Sequence, residues 1–397
     1  MLTPVLFAAA MLFQTQAELA APAGSPAFSN IVPDCAALTV LPEPTGPNQV
    51  GRTNLFFVDE AREEIATPEP VDLRQVPVTL WYPGLRDRDV APAPYMAQLD
   101  MFLGGFAADS RPFLREIGAG FSPLACVLGH SFEDIAASDL APDFPVIVFS
   151  PGGTMSRFWY SALAQELATH GYVVAMTGHA HSGTDVNPSG GLHFDPVRWR
   201  APEDASEQEA RAIEDRLADL LAGDVRFVLD RLEDIAAGRI AHPLNGRLDL
   251  SAPALGGHSR GGDAVARGCA QDRRFASCIT LDNIGPDRET GQGLDQPQLV
   301  IRAPWPQSRA GRLAGYLSLN RSVAIDAVLP GAGHFDFSDM PLVLSERYDT
   351  EIGAGPATIA ASRLIRAFLD GLETDPAALA ASLHAIEPFE ITVHADD

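Results

Sequence analysis

Gly257-His258-Ser259-Arg260-Gly261 is the one Gly-x-Ser-x-Gly string in the chain. A serine hydroxyl is a weak nucleophile until a base takes its proton and the backbone presents it to a substrate. This string follows a short apolar run and precedes a helical segment at 263–270. That is the setting of a strand-to-helix turn so tight that glycines are needed two residues either side of the serine. The start of the following helix favours negative charge there. Such a turn serves acyl transfer through Ser259.

The base is expected at His334, in the glycine-rich stretch Pro330-Gly331-Ala332-Gly333-His334 just past the last strand of the sheet. The orienting acid must follow the serine and precede the histidine in the order Ser…Asp…His. The loop 304–312 holds no Asp or Glu, whereas Ile279-Thr280-Leu281-Asp282 places a carboxylate at a strand's C-terminal end. Ligand-facing residues of open α/β sheets sit at such ends. Asp282 is therefore the expected acid, with Asp287 in reserve. Two backbone amides should hold the oxyanion, those of Arg260 and of Gly153 in the turn Pro151-Gly152-Gly153-Thr154.

The elements that position these groups alternate between strand and helix. Strands are expected at 55–58, 76–82, 144–150, 172–177, 252–256, 278–281, 298–303 and 323–329. Ser156 starts a helix running to residue 170, a long amphipathic helix covers 203–237, and a last helix covers 358–369. Parallel strands separated by helices imply a sheet covered on both faces. One domain, 54–397, accounts for this pattern, with a loop-and-helix excursion at 85–143. Phe102, Phe106, Phe113 and Phe121 of that excursion either pack over the sheet or form a lid that makes transient contact with a lipid surface. Before the domain, 1–17 reads as a signal peptide for export to the periplasm or beyond the cell, and 18–53 as an extended arm.

Composition narrows the chemistry further. Fifty-two acidic against 28 basic residues give a net charge of −24, which repels nucleic-acid phosphates. The chain has no lysine, so Schiff-base chemistry, the P-loop lysine and Ser–Lys dyads are excluded. Cys35, Cys126, Cys269 and Cys278 fit an oxidising compartment, and spacing alone does not say whether they are bridged. His179-Ala180-His181 lacks a third ligand at a recognisable spacing, so it reads as a pocket-lining loop. No metal or other cofactor is implied.

Several segments together carry a family resemblance. They are Leu80-Trp81-Tyr82-Pro83, Val148-Phe149-Ser150-Pro151-Gly152, Leu167-Ala168-Thr169-His170-Gly171-Tyr172, Asp224-Val225-Arg226-Phe227-Val228-Leu229-Asp230, Gly257-His258-Ser259, Leu281-Asp282 and His334-Phe335-Asp336-Phe337. In these the chain resembles the platelet-activating-factor acetylhydrolases of the plasma and intracellular type II kind. The resemblance implies the α/β-hydrolase fold and a calcium-independent serine esterase that removes short or oxidised acyl groups from phospholipids. It also implies the acid at Asp282. The chain departs from the family at Pro151, where a His is usual, at Arg260, where an apolar residue is usual, and at Asp263. Arg260 and Asp263, three positions apart, either pair with each other or leave Arg260 to select an anionic substrate. Two other readings remain open: a general carboxylesterase or polyester hydrolase, and a catalytically silent hydrolase fold used for binding.

Overall fold

The computed structural model describes residues 35, 38–67, 72–85, 90–108, 112–187, 191–193, 199–284, 293–344 and 351–394. The expected signal peptide, most of the arm and the reserve acid Asp287 lie outside the described residues.

Hydrophobic β-branched runs build one sheet of eleven strands. From one edge its order is Glu390–His394, Ala324–Val328, Gln298–Arg302, Ser277–Leu281, Leu248–His258, Phe144–Ser150, Val173–Thr177, Leu73–Leu85, Gln49–Glu63 and Ser131–Glu133. Ala136–Ala137 pairs beside this path on Leu73–Leu85. The six strands from Ala324–Val328 to Val173–Thr177 run parallel. Leu73–Leu85, Gln49–Glu63 and the edge strand Glu390–His394 join antiparallel. The chain winds outward in both directions from Phe144–Ser150 and Leu248–His258, and the crevice at such a switch point is where α/β sheets bind ligands.

Alternation along each strand feeds two cores. Ile147, Phe149, Val174, Met176, Leu299 and Ile301 face one side, where Leu163, Leu167, Leu364 and Phe368 from helices Ser161–Thr169 and Ala354–Gly371 cover them. Val146, Val148, Val173, Ala175 and Leu255 face the other, under Val225, Val228, Leu229 and Leu232 of the long helix Glu207–Ala236. Ser206 starts that helix with a capping box: its hydroxyl accepts from the Glu209 amide, and the Glu209 carboxylate accepts from the Ser206 amide. The α/β-hydrolase architecture expected from the sequence is thus the observed one.

Some boundaries differ from expectation. The first two strands extend to Gln49–Glu63 and Leu73–Leu85, so residues 49–53, assigned to the arm, pair within the sheet. Helix Gln307–Leu317, helix Pro376–His384 and the edge strand Glu390–His394 were not anticipated. The four cysteines form two bridges, Cys35–Cys126 and Cys269–Cys278.

Candidate active site

The turn after strand Leu248–His258 holds Ser259 at φ +52° and ψ −123°, a conformation that costs a non-glycine residue about 1–3 kcal/mol. Hydrogen bonds on both sides keep it there. The Ser259 amide donates to the Leu281 carbonyl at 2.9 Å, and the Ser259 carbonyl accepts from the Gly262 amide at 2.8 Å and from the Asn283 side chain. A Cβ on Gly257 would lie 2.4 Å from the Gly261 carbonyl oxygen, and one on Gly261 would lie 2.0 Å from that of Ser150. Both glycines are therefore required by close backbone approach. Helix Arg260–Gln271 begins directly behind the serine.

Three distant side chains meet above this turn. His334 Nε2 lies 3.0 Å from Ser259 Oγ, and His334 Nδ1–H donates to Asp282 Oδ2 at 2.5 Å. Asp282 is buried, and its other oxygen accepts from the Ala303 amide at 2.9 Å and from Trp305 Nε1 at 2.8 Å. Burial works against the Asp282 charge, but the bonds from His334 and Ala303 outweigh it and hold the carboxyl below its ordinary range. The loop after strand Gln298–Arg302, which lacks an acid, instead supplies an indole donor that orients one. Trp305 was not singled out from the sequence; its place three residues past a strand's C-terminal end was the available signal.

The glycine turn lies beside the serine. Its Gly152 amide donates to Tyr160 Oη at 2.9 Å and its Thr154 amide to the Ser182 carbonyl at 3.2 Å. The amide between them, Gly153 N–H, has no acceptor among the described residues. The stem of Arg260 crosses Gly153 so closely that a Cβ there would lie 3.0 Å from Arg260 Cγ. Gly153 and Arg260 are thus neighbours at the rim. The Arg260–Asp263 pair is not formed. Asp263 accepts from Asn283 Nδ2 at 3.3 Å, and Arg260 has no ion-pair partner among the described residues.

Two polar networks support the turn from behind. Tyr160 Oη donates to His258 Nδ1 at 2.8 Å, and His258 Nε2–H donates to the His334 carbonyl at 2.9 Å. Burial, with His334 adjacent, pulls the His258 pKa down to about 3, so the ring is neutral and its tautomer is set by these two bonds. The second network repeats the atom types of the first site. His179 Nε2 lies 2.9 Å from Ser150 Oγ, and His179 Nδ1–H donates to Asp224 Oδ2 at 2.9 Å. Arg74 grips the same carboxylate with two nitrogens at 3.0 and 2.5 Å, and Glu64 joins Arg74 at 2.8 Å. Burial opposes the Asp224 charge, yet Arg74 and His179 hold its carboxyl well below the usual range. His179 also lines a small void under Pro151, Gly152 and Gly153. No group of three metal-ligating side chains occurs among the described residues.

Two cavities open at Ser259. One, about 320 Å³, is lined by His334, Phe335, Met155, Trp159, Met340 and Phe121. The other, about 260 Å³, is lined by Arg260, Arg200, Trp199, Thr154, Ser182 and Leu217. Of the aromatic excursion, Phe102 and Phe106 are buried against Phe121, which in turn contacts Trp159 with ring centroids 5.8 Å apart. These rings pack over the sheet, and Phe121 and Trp159 wall the first cavity; the Phe113 side chain is not among the described ones.

Comparison with known proteins follows the same lines. The family of platelet-activating factor acetylhydrolase, isoform II, matches residues 38–187. The chain is similar to platelet-activating factor acetylhydrolases. The guinea pig (Cavia porcellus) enzyme of that name is 30% identical over 183 residues, 42% of this chain and 41% of the relative. The chicken (Gallus gallus) one is 25% identical over 334 residues, 77% of this chain and 76% of the relative. A probable 1-alkyl-2-acetylglycerophosphocholine esterase of Arthroderma benhamiae is 28% identical over 153 residues, 37% of this chain and 38% of the relative. The chain thus spans about two fifths of the length of the guinea pig and Arthroderma relatives. A ferulic acid esterase structure from Streptomyces cinnamoneus superposes with a TM-score of 0.67 at 23% identity, covering 90% of this chain and 99% of that one, a likeness of fold. The family match includes the Gly152-Gly153 turn and His179 but ends before Ser259, Asp282 and His334. The meeting of those three side chains is therefore an observation separate from it.

Proposed function

We propose that the protein is a serine carboxylic-ester hydrolase that releases short acyl groups from phospholipid-like esters. The observation that carries this reading is the unbroken line Ser259 Oγ, His334 Nε2, His334 Nδ1, Asp282 Oδ2 at the mouth of two cavities. Ser259 Oγ attacks the ester carbonyl carbon as its proton passes to His334 Nε2, and Asp282 stabilises the imidazolium. The oxyanion is held by the Gly153 and Arg260 amides. The bond to the alkoxy oxygen then breaks, and the alcohol leaves with the His334 proton. Water, deprotonated by the same nitrogen, attacks the acyl-enzyme and frees the acid. The similarity to the acetylhydrolases supports a glycerophospholipid as the alcohol, and cavities of a few hundred cubic ångströms suit a short acyl chain.

A fluorophosphonate probe tests the reading together with acid release from an acetyl- and a palmitoyl-glycerophospholipid. Adduct formation on Ser259 and preference for the acetyl ester are expected, both lost in Ser259→Ala. No adduct on folded protein means a silent fold. Asp282→Asn should lower kcat by about 10³–10⁴-fold while leaving the fold intact.

Export across a membrane belongs to the same proposal. Its support is the two bridged cysteine pairs, which fit an oxidising compartment. No helix among the described residues is long and apolar enough to cross a membrane. Sequencing the N-terminus of the mature protein, with cleavage after residue 17 expected, tests it.

A further inference from the structure

We infer that the cavity bounded by Arg260 and Arg200 is the acyl subsite and that it selects acyl chains ending in a carboxylate, the half-esters of dicarboxylic acids. The inference rests on the ester-hydrolase reading and gives it a substrate class.

The two cavities are divided by chemistry. His334 must hand its proton to the leaving oxygen, so the alcohol lies on the side His334 lines, among Phe335, Trp159 and Met155. The acyl chain then extends away from His334, into the cavity that shares Ser259 and Gly153 but not the imidazole. That second cavity carries two guanidinium groups and no carboxylate among its described lining residues. Neither Arg260 nor Arg200 has an ion-pair partner among the described residues, in a chain whose net charge is −24.

Both cations are placed by structure. The Arg260 stem rests on Gly153, where a Cβ would come within 3.0–3.5 Å of three of its carbons, so the glycine makes room for the arginine as well as for the oxyanion. Trp199 Nε1 donates to the His181 carbonyl at 3.2 Å, tying the residue next to Arg200 to the wall of the cavity. Thr154 and Ser182 add small polar surface between them. A planar guanidinium presents a fork that matches a carboxylate, and a pair of them beside the reacting carbon attracts an anionic chain end.

The test compares mono-4-nitrophenyl glutarate with 4-nitrophenyl valerate, which have the same acyl length and differ in a terminal carboxylate against a methyl. The ratio of their kcat/KM values should favour the glutarate by about 10–100-fold. It should fall about tenfold in Arg260→Met and in Arg200→Met, and shrink in 0.5 M salt by the screening of an exposed pair. A second pair, 4-acetoxybenzoate and 4-tolyl acetate, carries the charge on the alcohol, and no preference is expected. Equal rates on the first pair, a ratio unchanged in both variants, or selection on the second pair alone overturns the subsite while turnover of the valerate keeps the hydrolase reading. Failure to turn over any ester, with no fluorophosphonate adduct, overturns both.

Discussion

His258 Nε2–H donates to the carbonyl oxygen of His334 at 2.9 Å, and the two imidazole rings lie 4.7 Å apart, centroid to centroid. The residue before the proposed nucleophile therefore holds the backbone of the proposed base. Through Tyr160 the same ring is linked to the Gly152 amide, so one buried imidazole spans the histidine loop and the glycine turn.

Removing that link should loosen both at once. His258→Leu and Tyr160→Phe are each expected to lower kcat, by up to about 10²-fold for the first, because displacements near 1 Å at reacting groups cost that much. KM should change little, since neither side chain lines either of the two cavities at Ser259. Steady-state kinetics checks the split. A rise in KM at constant kcat would mean that His258 shapes substrate binding instead.

The Ser150–His179–Asp224 line has the same atoms as the Ser259 line and a different use. Ser150 and Asp224 are fully buried, and Arg74 is bound to the carboxylate, so no ester carbonyl reaches the hydroxyl. Asp224→Asn leaves buried Arg74 short of a charge partner and should cost about 3–5 kcal/mol of stability, measurable by urea unfolding. Ser150→Ala should still take the fluorophosphonate adduct. An adduct on Ser150 in Ser259→Ala protein would reverse the two assignments.

How far the sequence reached depends on where each constraint is local. The Ser259 turn was legible because close backbone approach forces glycine at 257 and 261, and the run Phe144–Ser150 because a strand buried on both faces is apolar along most of its length. Asp282 was legible by elimination along the strands. Trp305, Tyr160 and His258 were not, since their partners lie 23, 98 and 76 positions away and no pattern within the chain links them. Helix Gln307–Leu317 escaped because it contains Gly311 and Gly315 and buries only Leu313 and Leu317, a weak periodic signal. Strand Glu390–His394 escaped because it is an edge strand with no fully buried residue.

The two bridges close chain loops of very different length. Cys35–Cys126 spans 91 positions and Cys269–Cys278 spans 9. Loop-closure entropy makes the first worth about 4–5 kcal/mol and the second about 2–3 kcal/mol. Cys35→Ser/Cys126→Ser protein should therefore melt below Cys269→Ser/Cys278→Ser protein. Calorimetry of both against the parent checks the order, and an inverted order would mean that packing around Cys269 and Cys278, where helix Arg260–Gln271 is joined to strand Ser277–Leu281, outweighs chain entropy.

Asp339 supplies the pH dependence. Its carboxyl is buried where the chain after His334 meets the start of helix Ser161–Thr169, with Tyr95 Oη at 3.0 Å and the Ala162 amide at 3.2 Å. Burial pushes its pKa up to about 8, from 3.8. Between those values the folded protein keeps a proton that the unfolded chain has released, so stability falls with rising pH across that range. The contribution is fully present below pH 3.8 and gone above about pH 8. Asp339→Asn fixes a neutral group in the same place and should remove this slope. Melting curves of parent and variant from pH 5 to 9 are expected to diverge, the parent losing ground to the variant as pH rises. Parallel curves would mean that Asp339 is already ionised in the folded protein at pH 5.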